Sequence, residues 1–390
     1  MLCSKQLIHV SWKTGKQKGE MPIVKELKDV FPMLWRREDI LKYVDAHEHL
    51  KRIFNEWRPE EQKEFLNICT GVRGVKMLYD GFFKEVMNPE YAPQRLDDFL
   101  TQVLGRKTRV TKVLPNDSTR LTDESSLLVM DIVVEFEDGA IGNIEVQKMG
   151  YMFPGERSAC YSADLLLRQY KRLRDEKKKE FSYRDIRTVY TIVLFEHSPK
   201  AFQACPGTYY HFLEHKANTG IKLEMPQKFI YISLDIFRKK QQNENGSIPV
   251  RASRISDATH GRAASSFARQ GIHNKLEAWL TFFCRDEPEM ILKLIEEYPE
   301  FEALYGDAYE LCRNVEGVMQ IFSKELLEMD RNTVRLMIDE MQDEIEKKGQ
   351  TIKAQEKMLQ EKNEALKQKD KEFEDAKQRI KELEKQLLEK

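Results

Sequence analysis

Residues 127–148, LLVMDIVVEFEDGAIGNIEVQK, constrain this chain more than any other stretch. Two apolar, β-branched runs flank Asp138-Gly139, the pattern of a β-hairpin. Yet Asp131 interrupts the first run, and Glu145 stands between Ile144 and Val146 in the second. A carboxylate inside such a strand costs free energy unless a cation or hydrogen bonds compensate it. The hairpin must therefore fold where those charges are met.

Strand side chains alternate faces, so the register decides whether the two acids meet. A two-residue turn at Asp138-Gly139 pairs Asp131 with Val146 and turns Glu145 to the other face. A three-residue loop, Glu137-Asp138-Gly139 with Gly139 left-handed, pairs Phe136 with Ala140 and Asp131 with Glu145. Gln147 then joins the acids, while Ile132, Val134, Phe136, Ile144 and Val146 take the opposite face. The second register separates apolar from polar far better and is the expectation. It builds a cation site from two strands. The competing reading is a structural acid pair, satisfied by backbone groups or by Arg157.

A chain of 390 residues with 41% hydrophobic residues can bury a sizeable core, and 33% charged residues leave a highly charged surface or tail. The net charge of −1 means that nucleic-acid binding has to come from local basic patches. Six cysteines lie without a C-x-x-C pair, which suits a reducing compartment and argues against a zinc ribbon or disulfide framework. Lys5, Lys13 and Lys16 break any signal-peptide run, and no stretch is long enough to span a membrane. A soluble cytoplasmic protein without a membrane partner is expected.

Residues 1–22 are polar and expected to be disordered. Residues 23–75 form a helical module, with Leu41, Val44, Leu50, Ile53, Phe54 and Trp57 at helical spacing. Residues 76–238 form the α/β core. Leu96, Phe99, Leu100, Val103 and Leu104 give one helix an apolar face. Residues 156–179 form another, whose buried stripe is predicted to be Ala159, Cys160, Ala163, Leu166, Leu167, Tyr170 and Leu173. Its far end, with Lys171, Arg172, Arg174, Lys177, Lys178 and Lys179, is basic. RTVYTIVLFE, residues 187–196, reads as a central strand, and residues 209–232 hold a hairpin around Asn218-Thr219-Gly220. Residues 239–271 read as a flexible loop in which Arg251, Arg254, Arg262 and Arg269 can touch phosphates, or simply as a solvated linker. Residues 272–335 are helical and close the core. From residue 336 to 390, Ile338, Ile345, Ile352, Leu359, Leu366, Phe373, Ile380 and Leu387 keep a seven-residue period, while Lys348, Gln355, Lys362 and Lys369 weaken the companion line. A long helix able to form a coiled coil and a homo-oligomer is expected; a solvated single helix is its rival.

His211-x-x-Glu214-His215 fits the inverted zincin pattern, which needs a helix to present both histidines to zinc. Here it follows Tyr209-Tyr210 and leads into a turn, without a third ligand. His47-x-His49 has less support still.

The order Asp131, hairpin turn, Glu145-x-Gln147, then a helix opening Arg157-x-x-x-Tyr161, resembles the PD-(D/E)XK nuclease superfamily. The run from 120 to 174 resembles its branch of recombination-promoting nucleases and transposases, the Rpn family. Asp80, Phe83 and Lys84 match that branch's D-x-x-F-K entry helix, and the likeness covers about residues 76–330. It implies a restriction-endonuclease-like mixed sheet flanked by helices, with the helical N-terminal module and long C-terminal helix as additions. It further implies a metal-dependent endonuclease acting on double-stranded DNA, with Asp131 and Glu145 holding Mg²⁺, or Mn²⁺ in its place. The carbonyl of Val146 is a further candidate ligand. Gln147 stands where the superfamily has lysine, and Arg157 and Tyr161 flank the site. Lys148 falls on the wrong face for a simple exchange, so Lys84 or Arg157 has to supply the missing charge. The alternative is a catalytically inactive nuclease fold that binds DNA or protein.

Overall fold

The structure is a computed structural model that describes residues 26–114, 130–150, 154–213, 215, 217–221, 223–245 and 272–388. Its elements are α1 (Leu27–Val30), α2 (Arg37–Ala46), α3 (Glu48–Glu56), α4 (Pro59–Thr70), α5 (Asp80–Val86), α6 (Pro93–Leu104), β1 (Val110–Val113), β2 (Ile132–Phe136), β3 (Ile141–Gln147) and α7 (Pro154–Lys177). After these come β4 (Val189–Phe195), α8 (Lys200–Gln203), β5 (Tyr210–Leu213), β6 (Gln227–Ser233), α9 (Leu234–Asn245), α10 (Lys275–Cys284), α11 (Pro288–Glu297), α12 (Glu300–Leu311) and α13 (Val315–Leu388). The chain divides into two compact units, residues 1–77 with 281–320, and residues 78–280 with 321–390.

The first unit is helical. Pro59 opens α4 at the position where its missing N–H costs nothing, and Glu60 and Glu61 suit the positive end of the helix dipole. Val44, Leu50, Phe54 and Trp57 are buried as their spacing predicts. Phe31 packs against Tyr305 and Tyr309, and Phe282 against Phe301 and Tyr305. The stretch expected to close the α/β core, residues 272–335, thus divides: residues 281–320 belong with the N-terminal helices. An amphipathic pattern specifies that a helix is covered on one face, but not which element covers it.

The second unit is built on a mixed six-stranded sheet in the order β1-β2-β3-β4-β6-β5. β1, β2 and β3 run antiparallel, β3, β4 and β6 run parallel, and β5 closes the far edge antiparallel to β6. The run from 187 to 196 supplies the central strand because it is covered on both faces; Ile192, Val193, Leu194 and Phe195 are all fully buried. α7 links β3 to β4, the connection that parallel neighbours require.

α7 departs from its predicted face. Its buried residues are Ser158, Tyr161, Ser162, Leu165 and Gln169, whereas Ala159, Cys160, Ala163 and Leu167 are exposed. The sheet face beneath is itself partly polar, carrying Asn143, Glu145, Gln147 and Thr191. The helix turns hydrogen-bonding residues toward it: Gln227 Nε2 donates to Ser162 Oγ at 3.0 Å, and Gln169 Oε1 accepts the Arg187 N–H at 2.6 Å. Counting apolar residues chose the wrong stripe because the sheet face beneath is partly polar, so the helix side against it mixes Tyr161 and Leu165 with Ser158, Ser162 and Gln169.

α9 extends to Asn245, so the first part of the predicted loop at 239–271 is helix, and the four arginines of that loop lie outside the described residues. The N-terminal residues 1–22 lie outside them too. Among the described residues no helix is long and apolar enough to cross a membrane.

Candidate metal and phosphate site

The hairpin takes the three-residue loop. Ile132 pairs with Ile144 and Val134 with Gly142, a register that sets Asp131 opposite Glu145. The Phe136 N–H donates to Ala140 at 2.8 Å, and the Gly139 N–H closes the turn onto Phe136 at 2.9 Å. Gly139 has φ +79°, the left-handed conformation that glycine adopts without a Cβ penalty.

Each acid is held by the backbone opposite. The Val146 N–H donates to Asp131 Oδ2 at 2.7 Å, and the Asp131 N–H donates to Glu145 Oε1 at 3.3 Å. Glu145 is 3% exposed. Burial and the neighbouring Asp131 charge push its carboxyl up to about 8, with Asn143 and Arg157 opposing. Burial also raises Asp131, against the Val146 N–H and Lys84. Two acids in this state hold a proton between them or take a cation.

Gln147 shares their face, as predicted. Its side chain is buried, and neither its Oε1 nor its Nε2 has a hydrogen-bond partner among the described residues. A buried amide left in that condition costs about 1–3 kcal/mol, so the position suits a bound ligand atom. Arg157 lies at the start of α7, where its Nε donates to Tyr161 Oη at 2.9 Å and its guanidinium packs on the ring 5.4 Å from the centroid. Tyr161 is buried with Met130, Val133, Ile141 and Leu165, and burial followed by the Glu145 charge raises its phenol to about 12. Tyr161 therefore stays protonated and holds Arg157; it does not line the cleft.

The cleft above the acids has a volume of about 400 Å³. Asp80, the first residue of α5, stands on one wall with Lys84 Nζ 2.6 Å from its Oδ1; the same Nζ lies 3.6 Å from Asp131 Oδ1. Burial works against the Asp80 carboxylate, yet Lys324 and Lys84 hold it below its ordinary range. Lys148 also lines the cleft, although strand alternation placed it on the opposite face. β3 ends at Gln147, so alternation no longer governs the next side chain. Lys148 is bound to the buried Glu325, with Glu328 at 3.8 Å.

Those partners were not predicted. α13 contributes Lys324, Glu325, Glu328 and Arg331 to this site, some 180 residues from the hairpin in sequence. Lys324 Nζ reaches Asp80 Oδ2 at 2.8 Å, and Glu325 accepts the Asp80 N–H at 3.3 Å. Phe322 is buried with its ring 6.1 Å from Tyr79. A Cβ at Gly81 would come 2.7 Å from Ile321 Cγ1, so α5 and α13 approach more closely there than a side chain allows. In sequence these charges look like any solvated helix surface.

The other candidates are placed apart. The basic end of α7 runs back along the hairpin, where Arg172 meets Glu135 and Lys177 meets Asp185. Fifteen residues separate Arg157 from Arg172, about 22 Å along the helix. His211 is on strand β5, not on a helix; its Nε2 lies 3.1 Å from the Thr208 carbonyl, and its ring packs on Phe202. Glu214 lies outside the described residues. His47 is bonded to the Tyr43 carbonyl. Among the described residues no cluster of three or more His, Cys, Asp or Glu has metal-binding geometry.

A family model described as PD-(D/E)XK nuclease family transposase matches residues 77–335. No curated protein and no solved structure matches the chain.

Proposed function

Because the chain belongs to the PD-(D/E)XK nuclease family transposases, we propose that it is a metal-dependent endonuclease that hydrolyses DNA phosphodiesters during recombination or transposon-type movement. Nucleases of this kind generally use divalent metal ions. The carrying observation is Asp131 facing Glu145, each fixed by an N–H of the opposing strand.

The residues fit Mg²⁺, or Mn²⁺ in its place. They offer two carboxylates, hard donors of the type it prefers, in a site where burial makes an uncompensated pair unfavourable. Bound there, the ion would polarise a phosphoryl oxygen and activate water. Asp131 and Glu145 would hold it. Gln147 has an unpaired amide with which to orient water or a phosphate oxygen. Lys84, beside Asp131, supplies the charge that Gln147 lacks. Arg157, held by Tyr161, neutralises the Glu145 side of the site. The substrate is duplex DNA, and the exposed apolar line of α13 joins copies of the chain.

Cleavage of supercoiled plasmid, with Mg²⁺ or Mn²⁺ and with or without EDTA, tests this reading. Asp131→Ala and Glu145→Ala should each lose more than the about 10–100-fold that changes around a metal's ligands cost. Activity surviving in both variants would sink the site. A second reading rests on the uncharged Gln147 and on Lys84, Lys148 and Lys324 all being paired with acids. In that case the fold binds DNA or protein without cutting, and the wild type shows salt-sensitive DNA binding but no cleavage.

A further inference from the structure

We infer that α13 forms the phosphate-binding wall of this cleft, with Lys324 and Arg331 contacting the DNA backbone on either side of the bond addressed by Asp131 and Glu145. The inference rests on the nuclease-type reading above and assigns that site residues outside the hairpin and α7.

Lys324 and Arg331 are seven residues apart, two turns, and so share a helix face; both line the cleft that holds the acids. Their Cα positions are about 10.5 Å apart along the axis. Successive phosphates of one B-DNA strand rise about 3.4 Å along the duplex axis and lie farther apart through space, so two long side chains at this spacing can reach different phosphates. Arg331 is exposed and has no hydrogen bond or ion pair among the described residues. Lys324 touches only one oxygen of Asp80, and its side chain is 63% exposed. By contrast, Lys84 is shared between Asp80 and Asp131, and Lys148 is committed to Glu325 and Glu328.

One acid interrupts this face. Glu328 lies between the two cations, and a bare carboxylate there would repel a phosphate. It stands 3.8 Å from Lys148, which offsets its charge. The helix is also rigidly seated: Phe322 and Glu325 are buried, and Gly81 admits Ile321 closely. The backbone that carries the two cations is therefore seated beside the cleft. Such a pair of cations on one helix face suits a polyanion that presents several phosphates along the cleft.

The test is binding of a labelled DNA duplex to the full-length protein in EDTA, so that nothing is cleaved, across a salt series from about 50 to 200 mM. Each phosphate contact contributes about 0.9 to the slope of log K against log salt. Arg331→Gln should reduce the slope by about 0.9, and the double change with Lys324→Gln by about 1.8. Lys353→Gln, on the exposed part of the same helix, should leave it unchanged. Because Arg331 has no hydrogen bond or ion pair among the described residues, its variant should keep the fold, which a melting curve verifies. An unchanged slope for Arg331→Gln overturns the inference even where Asp131-dependent cleavage stands. A reduced slope supports it even where cleavage is absent. A loss of equal size in Lys353→Gln also overturns it, since the contact would then be diffuse charge.

Discussion

α13 uses the same residue types in two ways. Near its start, Phe322 and Glu325 are 2% and 1% exposed and are enclosed by α5 and the end of β3. Farther along, Ile345, Ile352, Leu359, Leu366, Phe373 and Ile380 are all more than half exposed. The near segment buries an acid, and the far segment exposes a line of alkyl groups. The difference lies in the neighbours. Glu325 is buried because Lys148 and the Asp80 N–H meet it there. The far line has a period without a partner among the described residues, and a second copy could bury each side chain for about 1.5–3 kcal/mol. Lys348, Lys362 and Lys369 oppose that pairing by placing like charges on the companion line.

The largest effect that would break this contrast lies at Glu325. Replacing it with alanine strands Lys148, whose side chain is 11% exposed. A buried pair broken on one side costs about 3–5 kcal/mol, and Glu328 should hold the loss near the lower figure. Thermal unfolding would register this as a clear drop in Tm. Removing residues 341–390 should leave Tm almost unchanged; an equal drop there would erase the distinction.

A pH series sharpens the same contrast. The folded value of Glu145, about 8, lies above its ordinary 4.5, and burial raises Glu325 in the same direction. Between those values the folded chain keeps a proton that the unfolded chain has lost. Stability is therefore fully present below about 4.5 and falls as pH rises toward 8. In the exposed half, Lys348 holds Glu344 below its ordinary value, a solvated pairing of small consequence. In EDTA, Tm should decline from pH 5 to 8.5, and Glu145→Gln should flatten the decline. At pH 8, Mg²⁺ should raise Tm for the wild type but not for this variant. A slope unchanged in Glu145→Gln would place the titrating group elsewhere.

The smallest effect is at Gly349, where an added Cβ meets nothing within 4 Å. Gly349→Ala should stabilise the helix locally by about 1 kcal/mol, visible as increased helical circular dichroism. Cleavage should be indifferent to it. If sedimentation shows a multiple of the chain mass that Gly349→Ala strengthens, the exposed line is a coiled-coil seam; a single-chain mass in both proteins makes it a solvated helix.

The hairpin was the most legible part of the site. Alternation, one glycine and the cost of a buried acid suffice to choose a three-residue loop, and with it the facing of Asp131, Glu145 and Gln147. β4 was legible for a similar reason, since an unbroken β-branched run has to be covered on both faces. The face of α7 was misread because a helix over a polar site buries serine, tyrosine and glutamine where hydrophobic counting places alanine and leucine. Lys148 was misread because alternation ends with the strand.

Local rules thus determined the elements, the register and the two acids, because those depend on near neighbours and on a period that the chain carries in itself. Only the tertiary structure decided which face of α7 is buried, that residues 281–320 join the N-terminal helices, and that Lys324, Glu328 and Arg331 of α13 line the cleft of the acids. These are encounters between segments far apart in the chain. A surface lysine or glutamate has the same local signature whether water or another segment will meet it.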